Sequence, residues 1–237
     1  DPFLYFSDST FYLFFEILNK SSNQGDIGYA ISQDLIKWSY EKIVLDEEYH
    51  LSYPYIFSWD NNIYMIPESH RDLSVRLYRA TLFPETWEFL GNLLSGFEFA
   101  DPSIFRYNNK WWMFVYTRTK NFNTLNLFYS DTLIKGWTPH PKNPIIRNDL
   151  SRSRPGGRVL NINGEIYRLS QNGIPSYGTD VNAFKIIELN IDNYIEEKAI
   201  NNPIVKQGNS NWNSFGMHHV DAHLINGKWV AAIDGRN

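Results

Sequence analysis

Residues 101–116 read DPSIFRYNNKWWMFVY. After the Asp101-Pro102 pair, a β-like run at 103–108 meets a polar turn at Asn109-Lys110, and a second β-like run fills 111–116. Two such runs joined by a two-residue polar turn are typical of a β-hairpin. This stretch therefore predicts two antiparallel strands, the first of which starts directly after a proline.

Similar units recur about every fifty residues along the chain. Each starts with an X-Pro pair and continues with a hairpin pattern, a third strand pattern and a fourth strand that begins near an aromatic residue. The four X-Pro pairs are Asp1-Pro2, Tyr53-Pro54, Asp101-Pro102 and Arg154-Pro155. A fifth unit, starting with VDAHLI at 220–225, contains only two strand patterns. Four-stranded antiparallel units at this period are typical of propeller blades.

The sequence therefore predicts an all-β protein: a single five-bladed β-propeller with four-stranded antiparallel blades. The aromatic content of 16% suits this fold, because rings pack well on pleated strands. We expect the last blade to be incomplete, with its outer strands supplied by residues before Asp1 or after Asn237. The predicted blades are 1–48, 49–97, 98–148, 149–205 and 206–237.

Composition excludes several classes of function. The chain has 237 residues, a formal net charge of −4 and no cysteine. The absence of cysteine excludes a disulfide framework, a thiolate metal site and a cysteine nucleophile. This charge balance does not predict binding to nucleic acid or to an anionic membrane. No apolar run approaches the ~20 residues of a membrane span.

Propeller geometry predicts where a site would lie. The first strand of each blade lines the central channel, so the residues entering those strands converge at one end of the axis. This convergence involves Asp1, Tyr53, Asp101, Arg154 and the HHVD run at 218–221. The residues that end the second strands would form a surrounding shell: Glu16, Glu68, Thr117, Gln171 and Asp234.

Paired carboxylates in an aromatic cleft are the machinery of glycoside hydrolysis. On this reading Asp1 is the general base or nucleophile and Asp101 orients or tunes its neighbours. Glu68 is the first choice for the general acid, and whichever of His218 and His219 faces the channel is the second. The substrate-binding candidates are His50, Tyr53, Arg154, Arg158, Gln171, Tyr177, His218, His219, Asp221 and Asp234.

Each candidate also has a structural explanation. An Asp before a proline is often only a turn residue. Glu68 could pair with Arg76 or Arg79, and the arginines at 154 and 158 could simply neutralise channel carboxylates. His219, Asp221 and His223 would share one face of a strand at a spacing compatible with metal binding, but we predict neither a metal nor a cofactor.

The Asp-Pro motifs at 1–2 and 101–102, with the DPSIF setting of the second, resemble those of the five-bladed propeller glycosidases of family 43. This resemblance implies that Asp1 is the general base and that Asp101 tunes the acid. In that family a Glu opening the fourth blade is the general acid. Arg154 stands at that position in this chain.

A second resemblance covers nearly the whole chain. Its segments are similar to the N-terminal domain of plant glucosamine inositolphosphorylceramide transferases and of bacterial relatives. In the plant family the transfer reaction is assigned to a separate exostosin-like C-terminal domain, so the resemblance implies a propeller in a carbohydrate context. The similar segments are QGDIGYA (24–30), HLSYPYIF (50–57), MIPES (65–69), VRLYRA (75–80), GGRVLNINGEIYRLSQN (156–172), YGTDVNAFKI (177–186) and HHVDAHLINGKWVAAIDG (218–235).

These observations support three hypotheses about function. The first is a glycoside hydrolase-like enzyme that acts on a glycan or glycoconjugate through carboxylate acid/base chemistry. The second is a non-catalytic glycan-binding or positioning domain associated with a glycosyltransferase. The third is a propeller that binds another protein and no small ligand. A deep axial pocket with carboxylates about 5–10 Å apart would favour hydrolysis.

Overall fold

The computed structural model describes residues 1–119 and 122–237. Within those ranges the chain forms twenty-one β-strands and two single-turn 3₁₀ helices, at His70–Asp72 and Asn211–Asn213. No helix in this part of the chain is long and apolar enough to cross a bilayer. The predicted all-β class is therefore confirmed.

The first two blades are regular four-stranded antiparallel sheets in which each strand pairs with the next along the chain. Their hairpins turn at polar pairs one residue before those predicted, as at Asp60-Asn61, where both residues lie in the left-handed region at φ 48° and 57°. The first blade contains β1 Phe3–Ser7, β2 Thr10–Asn19, β3 Gln24–Ser32 and β4 Ser39–Leu45. The second contains β5 Ser52–Trp59, β6 Asn62–Ser69, β7 Ser74–Leu82 and β8 Thr86–Ser95.

The third and fourth blades keep this order but break some strands into two. In the third blade the outer position is shared by two short strands that both pair with β11; in the fourth, both the inner and the outer positions are shared in this way. The third blade contains β9 Phe99–Tyr107, β10 Lys110–Arg118, β11 Asn123–Ser130, β12 Thr138–Pro139 and β13 Ile146–Arg147. The fourth contains β14 Arg154–Pro155, β15 Leu160–Ile162, β16 Glu165–Asn172, β17 Asp180–Leu189, β18 Tyr194–Lys198 and β19 Val205–Lys206.

The last sheet consists of β20 Val220–Ile225 and β21 Lys228–Ile233 alone. The structure therefore has four propeller blades rather than the predicted five, because the fifth unit supplies only two strands. This two-stranded sheet contacts both ends of the blade series. The amide of Val220 donates to the carbonyl of Gly156 at 2.9 Å, and the amide of Leu4 donates to Asp221 at 2.6 Å.

The core lies between the blades. One apolar cluster joins the first three blades, a second joins the third and fourth, and a third joins the fourth blade to the last sheet. Aromatic rings from neighbouring inner strands meet edge to face, as in Phe3 and Tyr53 with centroids 4.8 Å apart. This packing holds the inner strands in place, and the inner strands in turn position the residues at their ends.

Candidate active site

The inner strands β1, β5, β9 and β14 all begin at one end of the propeller, which we term the mouth. Because successive strands alternate in direction, the loops that follow β2, β6, β10 and β16 also lie at this end. The mouth therefore collects both sets of residues that the sequence singled out: those entering inner strands and those ending second strands.

Glu68, Asp101 and Arg154 form one cluster at the mouth. The guanidinium of Arg154 contacts Asp101 directly through Nε, and its Nη2 lies 3.4 Å from Asp101 Oδ1 and 3.7 Å from Glu68 Oε2. Glu68 Oε2 also accepts the amide of Asp101 at 3.0 Å, and Oε1 lies 2.8 Å from His70 Nδ1. Arg154 thus bridges the two buried carboxyl groups.

The two acids have pKa values shifted in opposite directions. Burial alone would raise the pKa of Glu68, but the hydrogen bond with His70 and the charge of Arg154 outweigh burial and lower it to about 2. Burial raises the pKa of Asp101 to about 7; Arg154 opposes this shift, and the carboxylate of Glu68 reinforces it. A lowered pKa does not suit the general-acid role predicted for Glu68, since that role requires a carboxyl group that carries a proton.

Two residues of the mouth have strained backbones. Tyr53 and Asp101 have φ values of 46° and 50°, although each precedes a proline, which disfavours such conformations. Both are buried, and both are held by hydrogen bonds. The Tyr53 hydroxyl accepts the amide of Gly157 at 3.0 Å and contacts Ser103 Oγ at 2.8 Å. Strain of this kind persists only where the surroundings enforce it, and it concentrates at functional sites.

A second cluster contains Asp1, His218 and Asp234. His218 Nδ1 lies 3.0 Å from Asp234 Oδ1, and His218 Nε2 lies 3.5 Å from Asp1 Oδ1. Burial alone would raise the pKa of Asp234, but the hydrogen bond with His218 outweighs burial and lowers it. These three residues offer ligand atoms within 4.8 Å of one another. The grouping differs from the metal-compatible set considered in the sequence, since it contains neither His219 nor His223.

The adjacent histidines lie just before β20, and their surroundings differ, in keeping with the opposite faces predicted for them. His219 is fully buried and packs edge to face against Phe3 and Tyr53, and burial lowers its pKa to about 3. His218 instead lies beside Tyr177, with ring centroids 5.2 Å apart. Tyr177 also lies 5.2 Å from the guanidinium carbon of Arg154, so its half-exposed ring connects the two clusters.

Two predicted binding residues, Asp221 and Arg158, form an ion pair in the interior. Asp221 is fully buried and pairs with Arg158 Nε at 2.7 Å and His223 Nε2 at 2.9 Å. Arg158 also donates to the carbonyl of Ile56 at 2.7 Å. Together with the hydrogen bond from the Leu4 amide to Asp221, these contacts connect β1, β5 and β20. Their partners are protein groups on three sheets, which is the arrangement of a structural ion pair.

His50 lies at the rim of the mouth, where its Nδ1 accepts the amide of Gly25 at 2.8 Å. Its ring lies 5.9 Å from that of His70, and its Nε2 lies 3.6 Å from Glu16 Oε1. His50 therefore extends the polar rim from Glu68 and His70 toward the first blade. Arg76 and Arg79, which the sequence offered as partners of Glu68, instead pair with Asp72 and Glu88 respectively.

Two adjoining cavities open at the mouth and share Tyr116, Arg118 and Arg154. The acidic cavity, of about 270 Å³, is completed by Glu68, His70, Glu98 and Ala100. The neutral cavity, of about 230 Å³, is completed by Asn123, Leu150, Ser153, Gln171, Gly173 and Tyr177. In the neutral cavity Gln171 Oε1 and Ser153 Oγ are buried and have no hydrogen-bond partner among residues 1–119 and 122–237.

Sequence reasoning missed several residues that line these cavities, among them His70, Glu98, Tyr116, Arg118 and Ser153. It selected Thr117, whose hydroxyl instead contacts Thr124 Oγ1 at 2.6 Å. Side chains alternate along a strand, so the neighbours of Thr117 necessarily face the other way. The end of β10 therefore lies at the cavities, as predicted. The residue that the sequence selected there, Thr117, has its side chain on the opposite face of the strand.

The fold is that of propeller glycoside hydrolases. The chain aligns with a putative glycoside hydrolase from Parabacteroides distasonis at a TM-score of 0.73, with 14% identity over 98% of this chain and 82% of that one. It aligns with a thermostable family-43 glycoside hydrolase at 0.65, with 15% identity over 89% and 77%. It also aligns with the Bombyx mori GH32 beta-fructofuranosidase at 0.67, with 13% identity over 97% and 53%. Identities this low establish a shared fold and no more.

The sequence itself identifies the family. Residues 1–236 match the family described as glucosamine inositolphosphorylceramide transferase 1, N-terminal, and the chain belongs to it. It is 41% identical over 245 residues to glucosamine inositolphosphorylceramide transferase 1 of Oryza sativa subsp. japonica, and 35% identical over 243 residues to that of Arabidopsis thaliana. Each match covers 99% of this chain and 32% of the relative, so the chain spans about a third of their length. The resemblance inferred from the sequence is thus confirmed.

Proposed function

We propose that the mouth binds the sugar headgroup of a glycoconjugate and that the chain acts as a glycan-binding and positioning domain. The observation that carries this proposal is the bridge formed by Arg154 between Asp101 and Glu68. Each of the four carboxyl oxygens of these acids has a nitrogen partner: the Arg154 guanidinium, the His70 ring or the Asp101 amide. Acid/base hydrolysis needs one carboxyl group free to give a proton and another free to activate water or attack.

The neutral cavity has the features of a sugar site. Tyr116 and Tyr177 supply rings, Arg118 and Arg154 supply fixed donors, and Gln171 and Ser153 supply buried polar atoms that need partners. Apolar walls with a few convergent polar groups are typical of small-molecule sites. Its volume of about 230 Å³ is below the ~300–1,000 Å³ of drug-sized pockets, which suits one sugar ring rather than an oligosaccharide.

The names of the plant relatives suggest the ligand class. These relatives are named as transferases of glucosamine and inositolphosphorylceramide. We propose that this chain takes the polar headgroup of a related glycolipid. An amino sugar would carry a cation that can pair with Glu98, which forms no ion pair within residues 1–119 and 122–237, and the hydroxyls of a sugar or inositol ring would suit Gln171 and Ser153.

Hydrolysis is the second candidate, and one observation favours it. The pKa of Asp101 is raised to about 7 while that of Glu68 is lowered to about 2, and such separation is how enzymes assign acid and base roles. On this reading Asp101 carries the proton, in place of Glu68, and Arg154 must move away for it to act.

The two candidates separate in one experiment. We expect a soluble glucosaminyl inositol phosphate headgroup to bind in calorimetry and to release no free sugar on long incubation. Tyr177→Ala should weaken binding by roughly ten-fold or more, because it removes the ring shared by the two clusters. The control is Tyr167→Ala, at a half-buried tyrosine on β16 whose hydroxyl donates to Glu165 away from the mouth.

Released sugar that disappears in Asp101→Asn would establish hydrolysis instead. Absence of binding, or equal binding by the Tyr177 and Tyr167 variants, would contradict the proposed site.

We further propose that the two-stranded sheet is the inner half of a fifth blade and that residues 1–237 form one domain. The support is its position between the first and fourth blades, where β20 contacts Leu4 through Asp221 and Gly156 through Val220.

A further inference from the structure

Five large apolar side chains are exposed on the loops of the mouth that belong to the third blade, the fourth blade and the last sheet. They are between 41% and 65% exposed. We term this set the apolar arc: Phe122, Leu150, Ile174, Trp212 and Phe215.

The loops that carry the apolar arc touch one another. The guanidinium of Arg147 lies 4.9 Å from the Phe122 ring, and the amide of Gly173 donates to the carbonyl of Leu150 at 2.8 Å. A Cβ atom on Gly216, which follows Phe215, would lie 1.9 Å from the carbonyl oxygen of Gly178, so the last two loops meet backbone to backbone. The arc is therefore one continuous surface that borders the neutral cavity through Leu150 and Gly173.

Cations without acidic partners accompany the apolar arc. Arg118, Arg147 and Lys206 are exposed, and none forms an ion pair within residues 1–119 and 122–237. Of the nearby acids, Asp149 pairs with Arg152, whereas Asp180 accepts bonds from Asn172 and Asn182 and lies opposite Lys206 in the pairing of β17 with β19.

At the opposite end of the propeller, exposed apolar residues are also present; three lysines there are paired, and Lys37, Lys135 and Lys228 are exposed without an ion pair among the described residues. Lys42 contacts Glu85, Lys110 lies 2.5 Å from Asp131, and Lys185 contacts Glu165. Exposed apolar side chains alone are ordinary on a protein surface. The arc differs from the opposite end in bordering the neutral cavity of the mouth through Leu150 and Gly173.

We propose that the apolar arc docks on the surface of an anionic lipid bilayer and turns the mouth toward the headgroups. Aromatic side chains favour the membrane–water interface, and cations near an anionic surface each strengthen binding. The other half of the mouth carries Asp46, Glu47, Glu48 and Glu98, which an anionic surface repels. The bilayer would therefore contact the third and fourth blades in preference to the first and second. This inference concerns lipid and does not depend on the proposed sugar ligand.

Vesicle sedimentation tests the proposal directly. We expect the chain to sediment with vesicles of phosphatidylcholine and phosphatidylserine, to stay in solution with phosphatidylcholine alone, and to be released as salt is added. Phe215→Ser and Ile174→Ser should each lower vesicle affinity by roughly ten-fold, because each removes an apolar side chain that would enter the interface. Leu82→Ser and Ile134→Ser, equally exposed at the opposite end, are the matched controls.

A charge reversal tests the cations. Arg147→Glu should lower affinity for the anionic vesicles by roughly five-fold or more, whereas Lys135→Glu at the opposite end should leave it unchanged. Circular dichroism of each variant checks that the fold is retained.

Three outcomes would overturn the proposal: no sedimentation with anionic vesicles, equal losses in the arc and control variants, or equal binding to neutral vesicles. Absence of sedimentation with anionic vesicles is also the result expected if the arc instead contacts another protein. None of them bears on sugar binding by calorimetry, so the proposed function is tested separately.

Discussion

Arg154 and Arg158 are four residues apart in the fourth blade, and each pairs with an aspartate from another sheet, yet their surroundings differ. Asp221, the partner of Arg158, is fully buried and also accepts the Leu4 amide and contacts His223. Asp101, the partner of Arg154, shares that arginine with Glu68, and Arg154 lines both cavities of the mouth. The Arg158 pair is enclosed in the interior, whereas the arginine of the Arg154 pair faces cavities that a ligand can reach.

The pKa values express this difference. Burial alone would raise the pKa of Asp221, but Arg158 and His223 outweigh burial and lower it, whereas burial raises the pKa of Asp101 to about 7. A buried ion pair with every group satisfied holds the fold together. A buried acid that shares its cation with a second acid is instead poised to respond to a ligand or to pH.

The largest expected effect is at the interior pair. Asp221→Asn leaves the buried Arg158 without a counter-charge, and we expect it to lower the free energy of unfolding by roughly 3–5 kcal/mol. Urea unfolding at neutral pH measures this loss. Asp101→Asn is the matched control, because it makes the same substitution at the mouth. Equal destabilisation by the two variants would remove the distinction between the pairs.

A smaller loss is expected at Glu68. Its pKa falls from an ordinary 4.5 to about 2 on folding, so its charge stabilises the folded state above pH 4.5 and this contribution is lost as pH falls toward 2. Glu68→Gln should therefore lower the free energy of unfolding at pH 7 by about 2–3 kcal/mol. The difference from the wild type should shrink as the solution is acidified. A difference that stays constant down to pH 2 would contradict the pairing with Arg154 and His70.

The smallest effect is expected at Asp101, with the opposite sign. Its folded pKa, about 7, lies above its ordinary value of 3.8, so ionisation destabilises the folded state as pH rises between these values. Asp101→Asn should match the wild type near pH 4 and exceed its stability by about 1–2 kcal/mol at pH 8, part of the gain being offset by the loss of the Arg154 contact. Thermal unfolding across this range checks the prediction. A variant less stable than the wild type at pH 8 would identify Asp101 as a structural partner.

Local patterns were enough to predict the all-β class, the four-stranded blades and the end of the propeller where Asp101, Arg154 and Glu68 meet, but they predicted five blades where the structure has four. The X-Pro pairs and polar turns placed the inner strands, and blade geometry then brought Asp101, Arg154 and Glu68 to one mouth. Local patterns were not enough to determine which carboxylate pairs with which arginine. Arg154 and Arg158 were equivalent in the sequence, and only the packing of β1, β5 and β20 shows that Asp221 belongs to the second.

The sequence by itself determined the all-β class, the four-stranded period and the family, because strand alternation and turn chemistry are local and repeat along the chain. Only the tertiary structure decided which carboxylates share Arg154 and which histidine faces Tyr177. It also brought Phe122, Leu150, Ile174 and Phe215 into one surface with unpaired cations, although the whole chain has a net charge of −4. The reason is that ion pairing and local surface charge depend on side chains from loops that are distant in the sequence and adjacent in space. The composition of the whole chain does not show which of these side chains are adjacent.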